Sequence, residues 1–514
     1  MIDKVRHKLE NIKVQQIVLL FFLIQPFLAI YMTFEKKPFQ VFGMAINVLL
    51  NFFFVFLIVT YVFILLLRKD RGKLKKNLVI TVIYGIVFLI YCIFHYKNMQ
   101  LFDENIFNRN SYDFIRETYF IFRTYVLPIV LLYTLYVLKV DKNKILFVVR
   151  MSVFIICFVI IATNIFGVSL AAYAEHGKLV YIDGSIFHWL FFDGSDNFEL
   201  YTSKGWFDSA NELSAILLML SPIIIGDVYK VDSKRNKILS SVLLIMLIVT
   251  MNMLGTKTAG LGLFATFFCI IILFVFFKIL KKIEFNLKEF VLKSLLLLSF
   301  CVFVFMNSPY YNKNFGKFKL EFEDRPIEEE LEEEEDEYVE SFADFIEKYS
   351  WNYYIEPQLL EIYPVDNDIS FWRFVINRDL RLNSNYRIIR TDLYNRILER
   401  NDNKGDFLFG IGYNDVLNSE KDYNMQMYYF GIVGILILIG PYIFNILYAI
   451  YSMLRYRDKL FNLDNVVALM CVCIGMVVPY LTGHVFGVVF PMNYIVLCGV
   501  LLLNFVGSSG NNES

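Results

Sequence analysis

Charge is scarce in this chain. Lys, Arg, Asp and Glu make up 19% of 514 residues, where a soluble protein of this length carries about 25%. The formal net charge is −1, so there is no global electrostatic case for a nucleic acid partner. Cysteine is missing from every polar loop. All seven, Cys92, Cys157, Cys269, Cys301, Cys471, Cys473 and Cys498, lie inside apolar blocks, which argues against a disulfide framework and against a zinc site. Cys471 and Cys473 have the wrong spacing for a redox pair and read as ordinary membrane-helix cysteines. No Walker sequence, H-E-x-x-H or G-x-S-x-G is present. Nucleotide and metalloprotease chemistry therefore have no positive signal, and no cofactor or metal is implied.

What the chain has instead is apolar length. It is 57% hydrophobic, with 53 Phe and 33 Tyr, and its mean hydropathy is +0.52. The apolar residues fall into blocks of about 18 or more, enough to cross a hydrocarbon core of about 30 Å. The sequence predicts an all-α polytopic membrane protein with about twelve spans, near 15–33, 41–67, 78–96, 118–138, 146–167, 209–228, 238–254, 258–278, 289–307, 424–450, 465–486 and 488–506. The first run begins near Val14. It is too long for a signal-peptide core and has no small-residue cleavage site after it, so it reads as a first membrane helix. The last two spans are divided at a turn near Gly487, just before Pro491.

Loop cations set the expected orientation. One set of loops, including Lys4–Lys13, Arg68–Lys76 and Lys278–Lys293, holds 26 Lys and Arg, against eight in the alternating set. Both termini are then cytoplasmic and the long segment between spans nine and ten is external. The organisation reads as spans one to nine (1–307), an external loop domain (308–423), spans ten to twelve (424–506) and a cytoplasmic tail (507–514). Within the loop, Glu328–Glu337 is acidic except for Leu331. Such a run reads as a solvated spacer, with surface cation binding as the alternative. The aromatic stretch Tyr338–Leu380 reads as amphipathic helices on the membrane face. A second external loop, Ser169–Asp208, leads into Ser209–Ser214, where Asn211 and Glu212 are an interfacial cap or a substrate contact.

The most informative stretch is Phe371–Gly434. It carries Arg373, Arg378, Arg381, Arg387, Arg390, Arg396 and Arg400, with no lysine among them. Residues 385–400 are expected to be helical, capped near Asn383–Asn385 and stopped by Gly405. Ile389, Leu393 and Ile397 then form an apolar stripe, while Arg387, Arg390 and Tyr394 share another face. Two guanidinium forks on one face suit a diphosphate. A surface helix facing anionic lipid or the acidic run is the plain alternative. Gly410-Ile411-Gly412-Tyr413 marks a tight turn back to the membrane, or lets backbone N–H groups approach an oxyanion. Glu420 and Asp422, at the rim of an apolar site, are candidates for a general base, or are membrane-flanking charge. Lys257, in a short turn of small residues, and Arg123, near the outer end of span four, are further cations for a phosphate-bearing ligand, or snorkel to lipid. His484 reads as a packing histidine of span eleven.

The order of these features resembles the O-antigen ligase and polymerase superfamily of bacterial envelope glycosyltransferases. The resemblance rests on about twelve spans with a large loop between nine and ten, and on three short motifs. These are the polar Ser209–Ser214 opening, Leu254-Gly255-Thr256-Lys257-Thr258-Ala259, and Arg390 followed by Phe409–Tyr413 and Tyr429–Gly434. It implies a multi-pass protein of the bacterial inner membrane that acts on a glycan linked to undecaprenyl diphosphate. Transfer to a glycan or lipid acceptor would be metal-independent and inverting. Arg387, Arg390, Lys257, Arg123 and Tyr394 would bind the diphosphate, and Glu420 or Asp422 would activate the acceptor. Membrane lipids and other envelope polysaccharide assembly proteins are the implied partners. Ligases of the family usually place a histidine before span ten, and this loop has none, which favours a polymerase-like or divergent member. The rival reading is a lipid-linked oligosaccharide flippase. A structural membrane scaffold explains neither the arginine face nor the Lys257 turn.

Overall fold

A computed structural model describes residues 2–35, 40–41, 44–103, 106, 114–173, 179–191, 201–230, 233–311, 342–383, 386–414 and 421–507. The acidic run 328–337, Glu420 and the tail after 507 lie outside the described residues. Among those residues are twelve helices long and apolar enough to cross a membrane. They are Val14–Phe34, Ile46–Arg68, Arg71–Gln100, Phe114–Leu138, Lys142–Ile165, Ala210–Lys230, Arg235–Met253, Lys257–Ile279, Leu287–Met306, Asp422–Arg455, Leu463–Leu481 and Val489–Val506. Number and order match the expectation from hydropathy.

Two ends differ. The eleventh span stops at Leu481 rather than near 486. Thr482 is extended, and Gly483 and Gly487 make further helix costly. His484 therefore sits in the turn after the span, at φ 64°, and is not part of a helix. The tenth span is broken, with Gly431 at φ 65° and ψ 179° inside it.

Compactness divides the chain differently from the linear alternation of membrane and loop. One unit comprises Met1–Leu74, Arg123–Lys319 and Pro441–Ser514, the other Lys75–Phe122 and Leu320–Gly440. In the first unit the sixth span is central. Its Leu213, Ile216, Leu217, Leu220, Ile224 and Ile225 have no exposed surface, as expected of a helix apolar on all sides. It packs against the seventh, eighth, eleventh and twelfth spans. The first, second and twelfth spans are joined by buried amides. Gln25 Nε2 donates to Asn51 Oδ1 at 3.0 Å, and Asn493 Nδ2 donates to Gln25 Oε1 at 3.0 Å and to Asn51 Oδ1 at 3.2 Å. In hydrocarbon such side chains act as glue between helices.

In the second unit, the segment between the ninth and tenth spans forms helices Phe342–Tyr349, Pro357–Ile362, Ile369–Asn377, Leu380–Asn383, Tyr386–Asn401 and Lys404–Phe409. They are amphipathic and share a core of their own, in which Ile346, Ile355, Tyr363, Trp372, Val375, Ile389, Leu393 and Ile397 are fully buried.

Asn493→Ala removes both bonds that tie the twelfth span to the first and second. It should destabilise the protein by about 1–2 kcal/mol, read as a lower thermal midpoint in detergent. An unchanged midpoint would show that the amides contribute nothing to helix association.

Candidate functional site

The arginine-rich helix runs Tyr386–Asn401, as its periodicity predicts. Its stop is different. Asp402 turns the chain at φ 45°, Asn403 caps the next helix, and Gly405 lies in that helix, where its N–H donates to Asn403 Oδ1 at 3.0 Å. A short Asx cap thus restarts the helix that Gly405 was expected to end.

Much of the arginine content is internal structure. Arg396 grips Asp368 with Nε at 2.6 Å and a second nitrogen at 3.2 Å. Asp368 also accepts from Tyr363 Oη, Ser370 Oγ and the Phe371 N–H. Arg400 donates to Tyr363 Oη at 2.9 Å and to the Asn367 carbonyl at 2.7 Å. Burial alone would raise the Asp368 carboxyl, but the hydrogen bonds from Arg396, Ser370, Tyr363 and Phe371 outweigh it and hold the group well below the usual carboxylate range. Arg378 reaches Asp392 at 2.5 Å and also donates to Asn383. The choice of arginine over lysine at 378, 396 and 400 therefore follows from forked binding to carboxylates and carbonyls within this unit.

Arg387 and Arg390 are both half-buried. Arg390 donates to Glu356 Oε2 at 2.5 Å. Tyr394 does not share their exposure. It is fully buried and stacks on Tyr428 at 4.2 Å with a 7° interplanar angle. Burial pushes its hydroxyl well above the usual tyrosine range, so it stays neutral. Tyr428 Oη donates to Asn395 Oδ1 at 2.7 Å. This tyrosine pair joins the arginine helix to the start of the tenth span.

That start also carries Asp422, which has no exposed surface and is the first residue of its helix, where a carboxylate favours the positive end of the helix dipole. Tyr394 also meets Tyr429 edge-on, with ring centroids 6.4 Å apart. One aromatic cluster thus joins the arginine helix to the helix that Asp422 begins.

The glycine turn holds this arrangement. The break at Gly431 frees carbonyls of the preceding helical turn, which hydrocarbon cannot satisfy. Ile411 N–H donates to the Tyr428 carbonyl at 2.8 Å, Gly412 N–H to Tyr429 at 3.1 Å, and Tyr91 Oη to Phe430 at 2.9 Å. Gly410 N–H bonds the Asp406 carbonyl, and Tyr413 N–H bonds Glu117 Oε1 at 2.8 Å. All four amides of Gly410–Tyr413 are engaged, so the turn does not offer them to an oxyanion. Contact between the two backbones is close. A Cβ on Gly410, at φ 83°, would stand 2.2 Å from the Tyr429 carbonyl oxygen, and one on Gly431 would stand 2.3 Å from the Leu408 carbonyl carbon.

Sequence reasoning missed the side chains that brace this turn. His95 and Asn98 come from the third span and Glu117 from the fourth. His95 Nδ1 donates to the Phe409 carbonyl, and its Nε2 meets Glu117 Oε1 at 3.1 Å. Asn98 Nδ2 donates to Asp406 Oδ1 at 2.8 Å and to the Gly410 carbonyl at 2.9 Å. The available signal was an ionisable residue inside an apolar run, which in a membrane calls for a named partner.

In the other unit, two of the motifs read from the sequence meet. Ser214 Oγ and Thr256 Oγ1 are 2.7 Å apart, and Thr256 Oγ1 accepts from the Ala259 N–H at 3.0 Å. Ser209 Oγ accepts from the Glu212 N–H at 3.4 Å at the start of this span. Lys257 is exposed at the N-terminus of its helix, where the dipole disfavours a cation. Among the described residues it makes no ion pair. Lys204, also missed, is half-buried and donates to the Asp208 carbonyl at 2.6 Å. Burial lowers its pKa, against the opposing pull of Asp208 and Glu212. Ser203 N–H bonds the Met253 carbonyl at 2.7 Å, which sets Lys204 beside the Lys257 turn. Arg123 is half-buried in a π-helical stretch, Phe122–Val126, within the fourth span, a feature frequent at functional sites.

Gly410→Ala should loosen the turn, seen as faster proteolysis after Asp402 and a lower thermal midpoint. Wild-type behaviour would mean that the two backbones do not meet so closely. Asp368 has a depressed folded-state pKa, so its stabilisation is complete above the unfolded value of about 3.9 and is lost as pH falls through the folded one. Asp368→Asn should lower the midpoint at pH 7 and flatten its acid dependence below about pH 4. Parallel curves for the two proteins would refute that role.

No curated protein matches the chain. The family described as O-antigen ligase like membrane protein matches residues 11–506, nearly the whole length and all twelve spans. By that match the chain belongs to the O-antigen ligase-like family of membrane proteins, which points to a role in polysaccharide assembly.

Proposed function

We propose that the protein is a glycosyltransferase that polymerises or ligates undecaprenyl-diphosphate-linked repeat units of a cell-surface polysaccharide. The reading places it in the bacterial inner membrane with both termini cytoplasmic and the loop domain external, so that the reaction occurs at the outer leaflet. The observation that carries it, beside the family match, is the Tyr394–Tyr428 stack that joins the arginine helix to the head of the tenth span, where Asp422 is buried.

In this proposal Asp422, or Glu420 two residues before it, takes the proton from the acceptor hydroxyl. The acceptor oxygen attacks the anomeric carbon from the face opposite the diphosphate, and the carbon–oxygen bond to the diphosphate breaks with inversion. Arg387 and Arg390 hold the leaving diphosphate, supplying the charge stabilisation that dominates such a step without a metal. Arg390 then exchanges its Glu356 partner for phosphate oxygens. Tyr394 is a positioning residue. It locks the arginine helix on Tyr428 through their ring stack. Lys257 and Arg123 are proposed as further cations for a phosphate-bearing ligand.

The test is chain extension by purified protein supplied with the lipid-linked repeat unit. Arg390→Ala should lower kcat/KM by about 10²- to 10³-fold, with Arg390→Lys restoring only part. Asp422→Asn should cost about 10²- to 10⁴-fold. Full activity in Arg390→Ala would sink the diphosphate assignment. Lipid scrambling by a wild type that extends no chain would favour the flippase.

A further inference from the structure

Gln426 lies one helical turn beyond Asp422 and has 1% of its surface exposed. Among the described residues neither its Nε2 nor its Oε1 has a hydrogen-bond partner. Among the described residues it is the one side chain with two such buried, unpartnered atoms. An amide with both ends unsatisfied in an apolar span is costly, and a leucine of similar size would pack there without that cost. The break five residues later does not explain it. The Tyr428, Tyr429 and Phe430 carbonyls already accept from Ile411, Gly412 and Tyr91, so Gln426 is not needed to satisfy them. Spacing of i, i+4 puts Gln426 and Asp422 on the same face of the helix.

We propose that Gln426 is a sugar-recognition residue, its amide pairing with a hydroxyl or acetamido substituent of the glycan in transfer. This rests on the glycosyltransferase reading and deepens it. The chemistry fits. A primary amide presents a donor and an acceptor side by side, and pyranose substituents offer the complementary pair. Donor and acceptor glycans present the same groups. The position next to Asp422 sets the amide beside the sugar whose hydroxyl is deprotonated or whose anomeric carbon is attacked. A site built to hydrogen-bond a polar substituent also discriminates against sugars that lack it, because the amide is then left unpaired again.

The experiment uses the full chain in detergent or nanodiscs with the lipid-linked repeat unit extracted from the source cell's own membranes. Gln426→Leu is compared with wild type for thermal midpoint and for KM and kcat/KM toward donor and toward acceptor. The proposal expects an unchanged or raised midpoint together with a 10- to 100-fold rise in KM and an equal fall in kcat/KM. A rise for the donor alone assigns the amide to the donor sugar, and one for the acceptor alone to the acceptor. A raised midpoint with unchanged kinetics toward both overturns the proposal, since the amide is then a structural orphan. Gln426→Met, closest in length and volume, gives the same readout should the leucine variant fail to fold. A wild type that extends no chain overturns this inference along with the reading beneath it, whereas an active wild type with an indifferent Gln426→Leu sinks the amide's role alone.

Discussion

Hydrocarbon offers no hydrogen-bond partner to a peptide group, and the second compact unit is built around one place where that constraint is met by unusual means. The tenth span breaks at Gly431, which frees carbonyls in the middle of an apolar helix. The partners come from a turn more than fifteen residues earlier in the chain, Ile411 and Gly412, and from a tyrosine of the third span. Because the two backbones must touch, Gly410 and Gly431 have no room for a side chain. The splice fixes where the loop helices end and where the tenth span begins, and so fixes the arginine helix relative to Asp422.

Other polar side chains of the interior meet the same requirement in pairs and triads. His95 with Glu117, Asn98 with Asp406, and Gln25 with Asn51 and Asn493 all form closed sets. Breaking such a set leaves a desolvated group without compensation, which gives these pairs a structural explanation that needs no ligand. Gln426 stands apart for the same reason. Among the described residues Asn164, Asn252 and Asn445 each leave one amide atom of a span unpartnered, but Gln426 leaves both, which is the ground for proposing that it meets a ligand.

The arginines divide along a similar line. Arg396, Arg400 and Arg378 are committed to Asp368, Asn367 and Asp392 within their own unit, and their task is to shape the loop domain. Arg390 also meets a carboxylate, Glu356. What distinguishes it is its place one turn before the buried Tyr394 on the same helix, not the geometry of its fork. In the proposed transfer a cation there would serve the leaving group, and Asp422 the acceptor.

Sequence alone determined the helical membrane fold, the number and order of spans, and the arginine helix with its buried Ile389, Leu393 and Ile397, because hydrophobic length and a period of 3.6 residues are local properties. Family membership was legible in the order of short motifs for a related reason, since order along the chain survives when single residues change. Tertiary structure decided the rest. That Gly405 does not stop the helix depends on Asn403 and Asp402. That the Gly410–Tyr413 amides are engaged depends on a break some twenty residues away. That Tyr394 is a buried brace depends on Tyr428, and that His95 serves the glycine turn depends on contact between residues more than three hundred positions apart. Each is a question of which partner a polar group finds, and partners distant in sequence are assigned only when the chain has folded.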